Sequence, residues 1–349
     1  MASTGAYVPP SVEKERRLSV RDVAELAGVS VGTVSNVLNG RSFVADRTRE
    51  RVEAAMKQLG YVPTLAARQL RVGTSRTVGA ILLDIANPFF TDVARGVEDR
   101  IGEDNFILVI SSSDEQREKE ERHLRLLEEH GVHGVVVAPA DDDLTWLAPA
   151  RSRGTPIVLL NRTSPTPQMC SVSVDDVTGG RLAAEHLLEL GHRRIGNVSG
   201  PDRLRSCADR SEGVRRAIRG AGLSVAESLV EITTPTRNAD GGELALERLL
   251  ELRDPVTAIV CVNDLVALGV LRGLRKHGIR VPDDVAVVGY DDVEFAAVLS
   301  TPLTSIRQPR YDLGQAAATL LLAESDPNHQ HEQVWFTPEL VVRESSGAR

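Results

Sequence analysis

The segment "AGVSVGTVSNVLNG", residues 27–40, contains no charged side chain, although it lies in the most basic part of an acidic chain. Gly32, Ser35, Asn36 and Asn39 recur in it at i, i+3, i+4 and i+7, a spacing that puts them on one face of a helix. Small neutral groups of this kind hydrogen-bond at close range, as the recognition of base edges in the DNA major groove requires. The spacing therefore predicts a sequence-reading surface.

Cationic side chains flank this predicted surface. Residues 1–73 hold eleven Lys and Arg against seven Asp and Glu, whereas the whole chain of 349 residues carries a net charge of −8. A basic module on an acidic body indicates that only the module meets a polyanion. Phosphates need cationic partners, and we expect these to be Arg21, Arg41, Arg47, Arg49 and Lys57.

Three short helices are predicted to carry the reading surface. Ser19 and Asp22 form a capping-box pattern before the first helix, and Gly28 allows the positive φ of a tight exit. Ser30 can cap the second helix, and a third apolar face begins at Asp46. The inward face of the second helix is expected to be Val34, Val37 and Leu38. A plain interaction domain of three helices remains the alternative at this stage.

The stretch "SVRDVAELAGVSVGTVSNVLNGRSFVADRTRERVEAAMKQLGYVPTLAARQLR" resembles the helix-turn-helix and hinge of LacI-type transcriptional regulators, and the resemblance covers about residues 18–346. In that family the second helix lies in the major groove, and dimers bind near-palindromic operators. The resemblance implies that Val31, Gly32 and Asn36 occupy positions that vary with the operator, with Asn36 pairing with adenine. The DNA-binding residues expected here are Ser30, Val31, Gly32, Thr33, Ser35, Asn36 and Asn39.

Residues 63–76 are predicted to be a hinge helix and linker. A helix that short is unstable alone, so it should order only with a partner. The resemblance implies that Leu70 wedges between base pairs in the minor groove and that Arg71 reaches the groove edge or a phosphate. A mere tether is the alternative, although it gives no reason for Ala66, Ala67 and Leu70 at helical spacing. Residues 1–17 are expected to be a disordered arm, and residues 18–62 the DNA-binding domain.

From Thr77 onward, short apolar runs alternate with amphipathic stretches, which predicts an α/β body with parallel sheets. Segments such as "NPFF", "VNDLVALGVLRGL" and "VPDDVAVVGYDD" resemble the periplasmic-binding-protein-like core of the same family. This resemblance implies an effector-binding and dimerisation domain at 77–346. Its two lobes would be about 77–161 with 292–322, and 162–291 with 323–346, with three chain crossings between them.

The resemblance also implies an effector pocket for a small molecule, expected to be a sugar or sugar derivative. Arg210 could instead form a structural ion pair, Asp291 could cap a loop, and Asp264 and Asp292 could cap helices. Leu204 stands where the purine-responsive relative has Arg, which disfavours a purine. The implied pocket residues are Phe89, Phe90, Asn161, Arg210, Asn263 and Asp291.

Several functional classes receive no support from the sequence. The N-terminus lacks an apolar signal region and no run could span a membrane, so a cytoplasmic location is expected. Cys170, Cys207 and Cys261 are interpreted as reduced core thiols, and His329 and His331 as part of a solvated loop, with no metal or cofactor. The leading hypothesis is a homodimeric, effector-controlled repressor that binds double-stranded DNA. A small-molecule receptor and an enzyme with a DNA-binding domain are the alternatives.

Overall fold

The computed structural model describes residues 18–38, 44–61, 76–164, 166, 168–326 and 328–347. The chain divides into two compact units, Met1–Ser75 and Arg76–Arg349. The predicted arm of residues 1–17 lies outside the described residues, as does the predicted hinge except for Arg76. The individual predictions that also fall outside them concern Asn39, Arg41, Leu70 and Arg71.

Three helices form the described part of the first unit, as the sequence predicts: α1 (Val20–Ala27), α2 (Val31–Leu38) and α3 (Asp46–Leu59). Their facing side chains close one small apolar core that includes Val23, Val34, Val52 and Tyr61. Val34 and Val37 are buried, whereas Leu38 is only partly buried against this core. The predicted inward face of α2 is therefore confirmed.

The second unit is an α/β structure with two six-stranded sheets. Its strands are β1 (Thr77–Leu82), β2 (Ile107–Ser112), β3 (Gly134–Val137), β4 (Ile157–Leu160), β5 (Ser171–Val174), β6 (Ile195–Ser199), β7 (Leu229–Thr233), β8 (Ala258–Cys261), β9 (Ala286–Asp291), β10 (Thr304–Arg307), β11 (Gln333–Phe336) and β12 (Glu339–Val341). Its helices are α4 (Pro88–Gly102), α5 (Arg117–Glu129), α6 (Ala148–Ser152), α7 (Asp176–Glu189), α8 (Arg205–Gly220), α9 (Val225–Ser228), α10 (Ala239–Leu250), α11 (Asp264–Lys276) and α12 (Arg310–Ala323). Single 3-10 turns lie at Thr145–Leu147, Glu294–Ala297 and Glu344–Ser346.

The strand order is β11-β5-β4-β3-β1-β2 in the first sheet and β12-β10-β9-β8-β6-β7 in the second. All pairings are parallel except that of β12 with β10. Strands such as β1 are buried along their whole length because helices cover both faces of a parallel sheet. The predicted α/β class is confirmed. None of the described helices is both long and apolar enough to cross a membrane.

The two sheets divide the second unit into lobes whose boundaries differ from the predicted ones. Strand β5 pairs with β4 and β11 in the first sheet, whereas the predicted boundaries put β5 and β11 in the second lobe. Strand β10 pairs with β9 in the second sheet, although it was assigned to the first lobe. The chain passes between lobes after β5, after β10 and after β11. Strand pairing joins distant segments, and the boundaries that the resemblance implies differ from the sheets by one strand at each crossing.

Two glycines allow α7 and α8 to pack closely against each other. A Cβ atom on Gly180 would lie 2.0 Å from the carbonyl oxygen of Arg210, and one on Gly213 would lie 2.1 Å from that of Val177. Real Cβ atoms do not approach an oxygen so closely, so a side chain at either position would separate the helices. The close approach places Asp176, at the start of α7, within hydrogen-bond distance of Arg210 on α8.

Candidate nucleic-acid interface and effector cleft

A tight turn joins α1 and α2. Ser19 and Asp22 form the predicted capping box: the Ser19 backbone N–H donates to Asp22 Oδ2 at 2.7 Å, and the Ser19 hydroxyl donates to the same oxygen at 2.6 Å. Gly28 ends α1 with a φ of 62°, in the left-handed region where glycine carries no steric penalty. Arg51 of α3 donates to the carbonyl oxygens of Ala27 and Gly28, at 2.5 and 3.2 Å. The turn is therefore fixed by a local cap and by a long-range guanidinium contact.

The outward side of α2 is neutral and accessible, as the sequence predicts. Val31 and Gly32 are exposed, and Ser35 and Asn36 are partly exposed. At the start of the helix, Ser30 Oγ accepts a hydrogen bond from the backbone N–H of Thr33 at 3.0 Å.

The hydroxyl groups of Ser30 and Thr33 also lie 2.9 Å apart, so both predicted DNA-binding residues take part in the helix cap. A capping hydroxyl can still accept or donate one further hydrogen bond. The other expected contacts, Val31, Gly32, Ser35 and Asn36, make up a surface that a ligand can reach.

Cations stand around this part of the first unit. Arg21, Arg47 and Lys57 are exposed, and Arg49 is partly exposed. Arg51 is also charged, but its guanidinium is engaged with the end of α1. The described members of the predicted phosphate-contacting set therefore lie at or near the surface, whereas Arg51 has a structural role.

Asp291 is the centre of the polar cluster between the two lobes. It ends β9 with a φ of 104° and is 3% exposed. Its Oδ1 accepts from Gln308 Nε2 at 2.6 Å, and its Oδ2 accepts from Asn87 Nδ2 at 3.3 Å. Burial raises the pKa of Asp291, while Arg210 and the two amide donors act in the opposite direction. Because Asn87 belongs to the first lobe, this carboxylate connects the lobes directly.

Arg210 makes the structural ion pair that the sequence left open as an alternative. Its Nε lies 2.8 Å from Asp176 Oδ1, and its Nη1 donates to the Val262 carbonyl at 2.6 Å. The guanidinium also stacks 3.6 Å from the centre of the Tyr290 ring and lies 3.8 Å from Asp291. Desolvation lowers the pKa of Arg210, but Asp176, Tyr290 and Asp291 outweigh it and raise the pKa. Arg210 is therefore held by Asp176 and the Val262 carbonyl beside Asp291, and these two hydrogen bonds use two of its five N–H groups.

Three buried polar atoms near the carboxyl ends of the strands lack a hydrogen-bond partner among the described residues: Asn161 Oδ1, Ser173 Oγ and Gln308 Oε1. Asn161 follows β4 with a φ of 55°, and its backbone N–H donates to the Val172 carbonyl at 2.8 Å. The sequence places Asn161 at the first crossing, but that crossing lies after β5. Parallel sheets bind ligands at these strand ends, where unpaired acceptors can contact a bound molecule.

Asn263 does not have a free amide group. Its Oδ1 accepts from Val266 N–H at 2.8 Å as the cap of α11, and its Nδ2 donates to the Arg237 carbonyl at 3.0 Å. The expectation that Asp264 caps this helix is wrong, because Asp264 accepts from Ser305 Oγ at 2.6 Å.

Asp292 is not a helix cap either. It pairs with Arg307 at 2.7 Å, and the turn that follows has no side-chain cap. An amide or a carboxylate after a strand has the same sequence signature whether it caps a helix, pairs with a cation or faces a ligand. Only the three-dimensional neighbours of Asn263, Asp264 and Asp292 separate these roles.

Phe89 and Phe90 begin α4 and are both buried, with ring centres 5.0 Å apart in an edge-to-face arrangement. Phe90 lines a surface cavity of about 350 Å³ together with Leu82, Ile85 and Ile110. None of the other predicted pocket residues lines that cavity. The prediction that Phe90 covers an effector is therefore not supported by its surroundings.

A second contact between the lobes is not predicted by any sequence pattern. Glu115, which follows β2, accepts from Arg237 Nε at 2.6 Å, and both side chains are largely buried. Arg203 of the second lobe donates to the carbonyl oxygens of Glu115 and Ala140, at 3.2 and 3.1 Å. No sequence signal connects these residues, because more than 60 positions separate each donor from its acceptor. They join the two lobes through the loop after β2.

The described part of the loop before β11 is largely exposed, as expected, and His331 is exposed with it, but His329 is not. The side chain of His329 is 10% exposed, and its Nε2 lies 3.1 Å from the sulfur of Cys170. Cys170, Cys207 and Cys261 are all buried free thiols. Chain spacing could not bring Cys170 and His329 together, since they lie 159 positions apart.

Comparison with known proteins agrees with both units. Residues 19–64 match the family described as bacterial regulatory proteins, lacI family, and residues 184–346 match the periplasmic binding protein-like domain. The chain is 34% identical over 330 residues to the HTH-type transcriptional repressor PurR of Photobacterium profundum, covering 94% of this chain and 98% of that protein.

Two solved structures show the same architecture. The CelR transcriptional regulator in complex with cellobiose is 33% identical, with a TM-score of 0.71, over 94% of this chain and all of that one. The lac repressor dimer bound to operator and the anti-inducer ONPF is 29% identical, with a TM-score of 0.80, over 95% of this chain and all of that one.

Proposed function

The chain belongs to the lacI family of DNA-binding transcriptional repressors, and from that premise we propose that a small, hydroxyl-rich effector bound between its two lobes controls its affinity for operator DNA. The operator would be read by Val31, Gly32, Ser35 and Asn36 on the outer side of α2. Arg47 and Lys57 would contact the flanking phosphates.

The contact set of Asp291 is the observation that carries this proposal. Its carboxylate takes hydrogen bonds from Asn87 of the first lobe and from Gln308 at a lobe crossing. A ligand that replaces either donor changes the free energy of one lobe arrangement relative to another. Such differential binding is what shifts a conformational equilibrium, and reversing a 1:99 population to 99:1 takes about 5.5 kcal/mol.

The chemistry of the cleft favours a ligand that is rich in hydrogen-bond donors. Two of the unpaired atoms at the strand ends are acceptors, Asn161 Oδ1 and Gln308 Oε1, and the Ser173 hydroxyl is a third unpaired group. The Asp291 carboxylate adds two acceptor oxygens, which accept from Asn87 and Gln308 in this structure. Each hydroxyl group of a sugar can donate one hydrogen bond, so a sugar or sugar derivative fits this set. The cellobiose bound to the CelR regulator is consistent with this choice.

A purine is the alternative effector, and the relatives named PurR favour it. Leu204 argues against a purine. The purine-responsive relative has an arginine at this position, whereas Leu204 is uncharged, 1% exposed and packed in the core. A purine base also offers fewer N–H donors than a sugar offers hydroxyl groups.

We further propose that the functional repressor is a homodimer. Strand β2 lies at one edge of the first sheet, and its Ile107, Val109 and Ile110 are 58%, 40% and 46% exposed. An exposed apolar edge strand is a surface that proteins usually cover. A two-fold dimer would cover it and would present two α2 helices to a palindromic operator. Analytical ultracentrifugation tests this proposal. A dimeric wild type and a monomeric Ile110→Lys variant would support it, and a wild type that is monomeric at micromolar concentration would refute it.

A ligand screen tests the effector proposal. The melting temperature of the full chain is measured with sugars, sugar phosphates and nucleobases, because a ligand that binds the native state raises it. The ligand that produces a shift is then added to an operator-binding assay that uses DNA selected from a random pool. We expect a sugar to shift both the melting temperature and operator affinity.

Asp291→Asn should weaken this response about tenfold or more, because an amide cannot replace a carboxylate that accepts two hydrogen bonds. The matched control is Asp240→Asn, since Asp240 pairs with Arg272 on the surface, with a side-chain exposure of 86%. If only a nucleobase shifts the melting temperature and operator affinity, the effector is a nucleobase and the sugar proposal is wrong. A ligand recovered chemically changed would instead favour an enzyme, and sequence-independent DNA binding would contradict an operator-specific repressor.

A further inference from the structure

Four side chains with metal-binding atoms meet at one end of the first sheet: Cys170, Glu324, His329 and His331. Their ligand atoms, one thiol sulfur, one carboxylate oxygen and two imidazole nitrogens, all lie within 4.8 Å of one another. The four residues come from three segments of the chain. Cys170 immediately precedes β5, Glu324 follows the last residue of α12, and the two histidines precede β11.

We propose that Cys170, Glu324, His329 and His331 form a tetrahedral binding site for a divalent transition metal, with Zn²⁺ as the ion that best fits their chemistry. Zn²⁺ takes four ligands drawn from thiolate, imidazole and carboxylate groups. A hard ion such as Mg²⁺ prefers oxygen ligands alone, and only one of the four groups supplies oxygen.

The distances within the cluster agree with this geometry. Bond lengths of about 2.0–2.3 Å at a tetrahedral angle separate neighbouring ligand atoms by about 3.3–3.6 Å. Here the Cys170 sulfur lies 3.1 Å from His329 Nε2 and 3.8 Å from His331 Nδ1. Glu324 Oε1 lies 3.0 Å from His331 Nδ1 and 3.9 Å from His329 Nε2. The four measured separations bracket the ideal value, so small movements would complete the tetrahedron.

One backbone donor beside the sulfur suits a thiolate ligand, whereas burial, Glu324 and the Glu332 charge raise the pKa of the Cys170 thiol to about 12. The backbone N–H of Glu332 donates toward the Cys170 sulfur at 3.3 Å, and such a donor stabilises the charge on a metal-bound thiolate. The pairing of β5 with β11 fixes this N–H, because Ser171 N–H donates to the Glu332 carbonyl at 2.9 Å. Metal binding would replace the thiol proton of Cys170, which would leave to solvent.

The rings of His329 and His331 are held 5.7 Å apart and nearly perpendicular, at 83°. Their nitrogens can therefore approach one point from two directions. Within the cluster, His331 is exposed and the others are buried or partly buried, so an ion can enter past His331. The site would tie the end of α12 to the starts of β5 and β11, the two strands that lead into lobe crossings.

Cobalt substitution tests the proposal on the full chain after removal of metal by a chelator. Co²⁺ should bind at one equivalent per chain, with the strong visible absorption of a tetrahedral ion and a near-ultraviolet thiolate-to-metal band. Zn²⁺ should displace it and raise the melting temperature. No stoichiometric binding, or the weak absorption of an octahedral ion, would overturn the proposal.

Variants identify the ligands. His331→Ala and His329→Ala should each lower metal affinity at least about 100-fold, the upper end of what is lost when a mere supporting hydrogen bond is removed. Cys170→Ser should also remove the thiolate band. His277→Ala is the matched control, because His277 is exposed and pairs with Glu247 at 2.9 Å without a thiol nearby.

Since His331 is exposed, its variant should fold even if the substitution at buried Cys170 prevents folding. Wild-type metal affinity in both histidine variants would refute the site. This readout is metal content and absorption, so it does not depend on the effector or the operator.

Discussion

Arg237 donates its Nε–H to Glu115 Oε1 across 2.6 Å, although the two residues lie 122 positions apart and belong to different lobes. With Arg203, which donates to the Glu115 carbonyl, this pair connects the loop after β2 to the second lobe. These contacts stabilise the lobe arrangement of this structure, so an effector that changes the arrangement would have to strengthen or oppose them.

Glu115→Ala should lower the stability of the second unit by about 3 kcal/mol, because removing one partner leaves the largely buried Arg237 guanidinium unpaired. Urea unfolding measures the change. The control is Asp240→Ala, which breaks an ion pair with Arg272 on the surface and should cost less than about 1 kcal/mol. An equal loss of unfolding free energy in both variants would show that the pair between the lobes stabilises the protein no more than a surface ion pair does.

Asn36→Ala should weaken binding to the selected operator by about 1–3 kcal/mol and leave binding to random DNA unchanged, because a base-edge hydrogen bond acts on one sequence. Fluorescence anisotropy with both DNA molecules measures this. Asn36 is partly exposed on α2, so the substitution should not disturb the core of Val34 and Val37. The same loss on both DNA molecules would place Asn36 outside base recognition.

Arg47→Ala should behave differently from Asn36→Ala, since an exposed cation that contacts phosphate carries no sequence information. We expect weaker binding to every DNA sequence and a salt dependence whose slope falls by about one unit. Titrations at several salt concentrations supply the slope. An unchanged slope would mean that Arg47 does not contact the backbone.

Gly180→Ala should destabilise the second unit by about 1–3 kcal/mol or more, because its Cβ would lie 2.0 Å from the Arg210 carbonyl oxygen and force α7 from α8. Gly220→Ala is the matched control at the end of α8, where a Cβ would meet nothing within 4 Å. That control should be neutral or slightly stabilising. Thermal unfolding of the two variants decides between close packing and simple helix propensity.

Glu120 makes stability depend on pH. Burial raises the pKa of this carboxyl to about 7, from 4.5 in an unfolded chain; Asp141 also raises the pKa, and Ala140, Ser113 and Arg117 lower it. Below about pH 4.5 both states carry the proton and stability is undiminished. As the pH rises to 7, the unfolded state loses its proton first, so stability falls, by about 3 kcal/mol in all.

Glu120→Gln removes this titration. The variant should match the wild type at about pH 4.5 and be more stable by about 3 kcal/mol at about pH 8, as measured by urea unfolding at both values. A constant difference at the two pH values would assign the effect to packing and not to the proton.

Features that depend on contacts between residues close together in the chain were predicted correctly, whereas features that depend on contacts between distant segments were not. Ser19, Asp22 and Gly28 define α1 through hydrogen bonds between residues close together in the chain, and the structure has that cap and that turn. Apolar runs such as "TVGAIL" became buried strands for the same local reason. The lobe boundaries implied by the family resemblance differ from the sheets by one strand, because the partners of β5, β10 and β11 decide which sheet each strand joins.

The sequence alone determined the three-helix unit, the α/β class and the neutral outer side of α2, since each depends on the periodicity of neighbouring residues. The tertiary structure alone decided which polar side chains are free to act. It committed Asn263 to a helix cap and Arg210 to Asp176, left Asn161 Oδ1 without a partner among the described residues, and brought Cys170 to His329. These outcomes depend on which strands pair and which helices pack, and chain spacing does not encode distances between segments that meet only after folding.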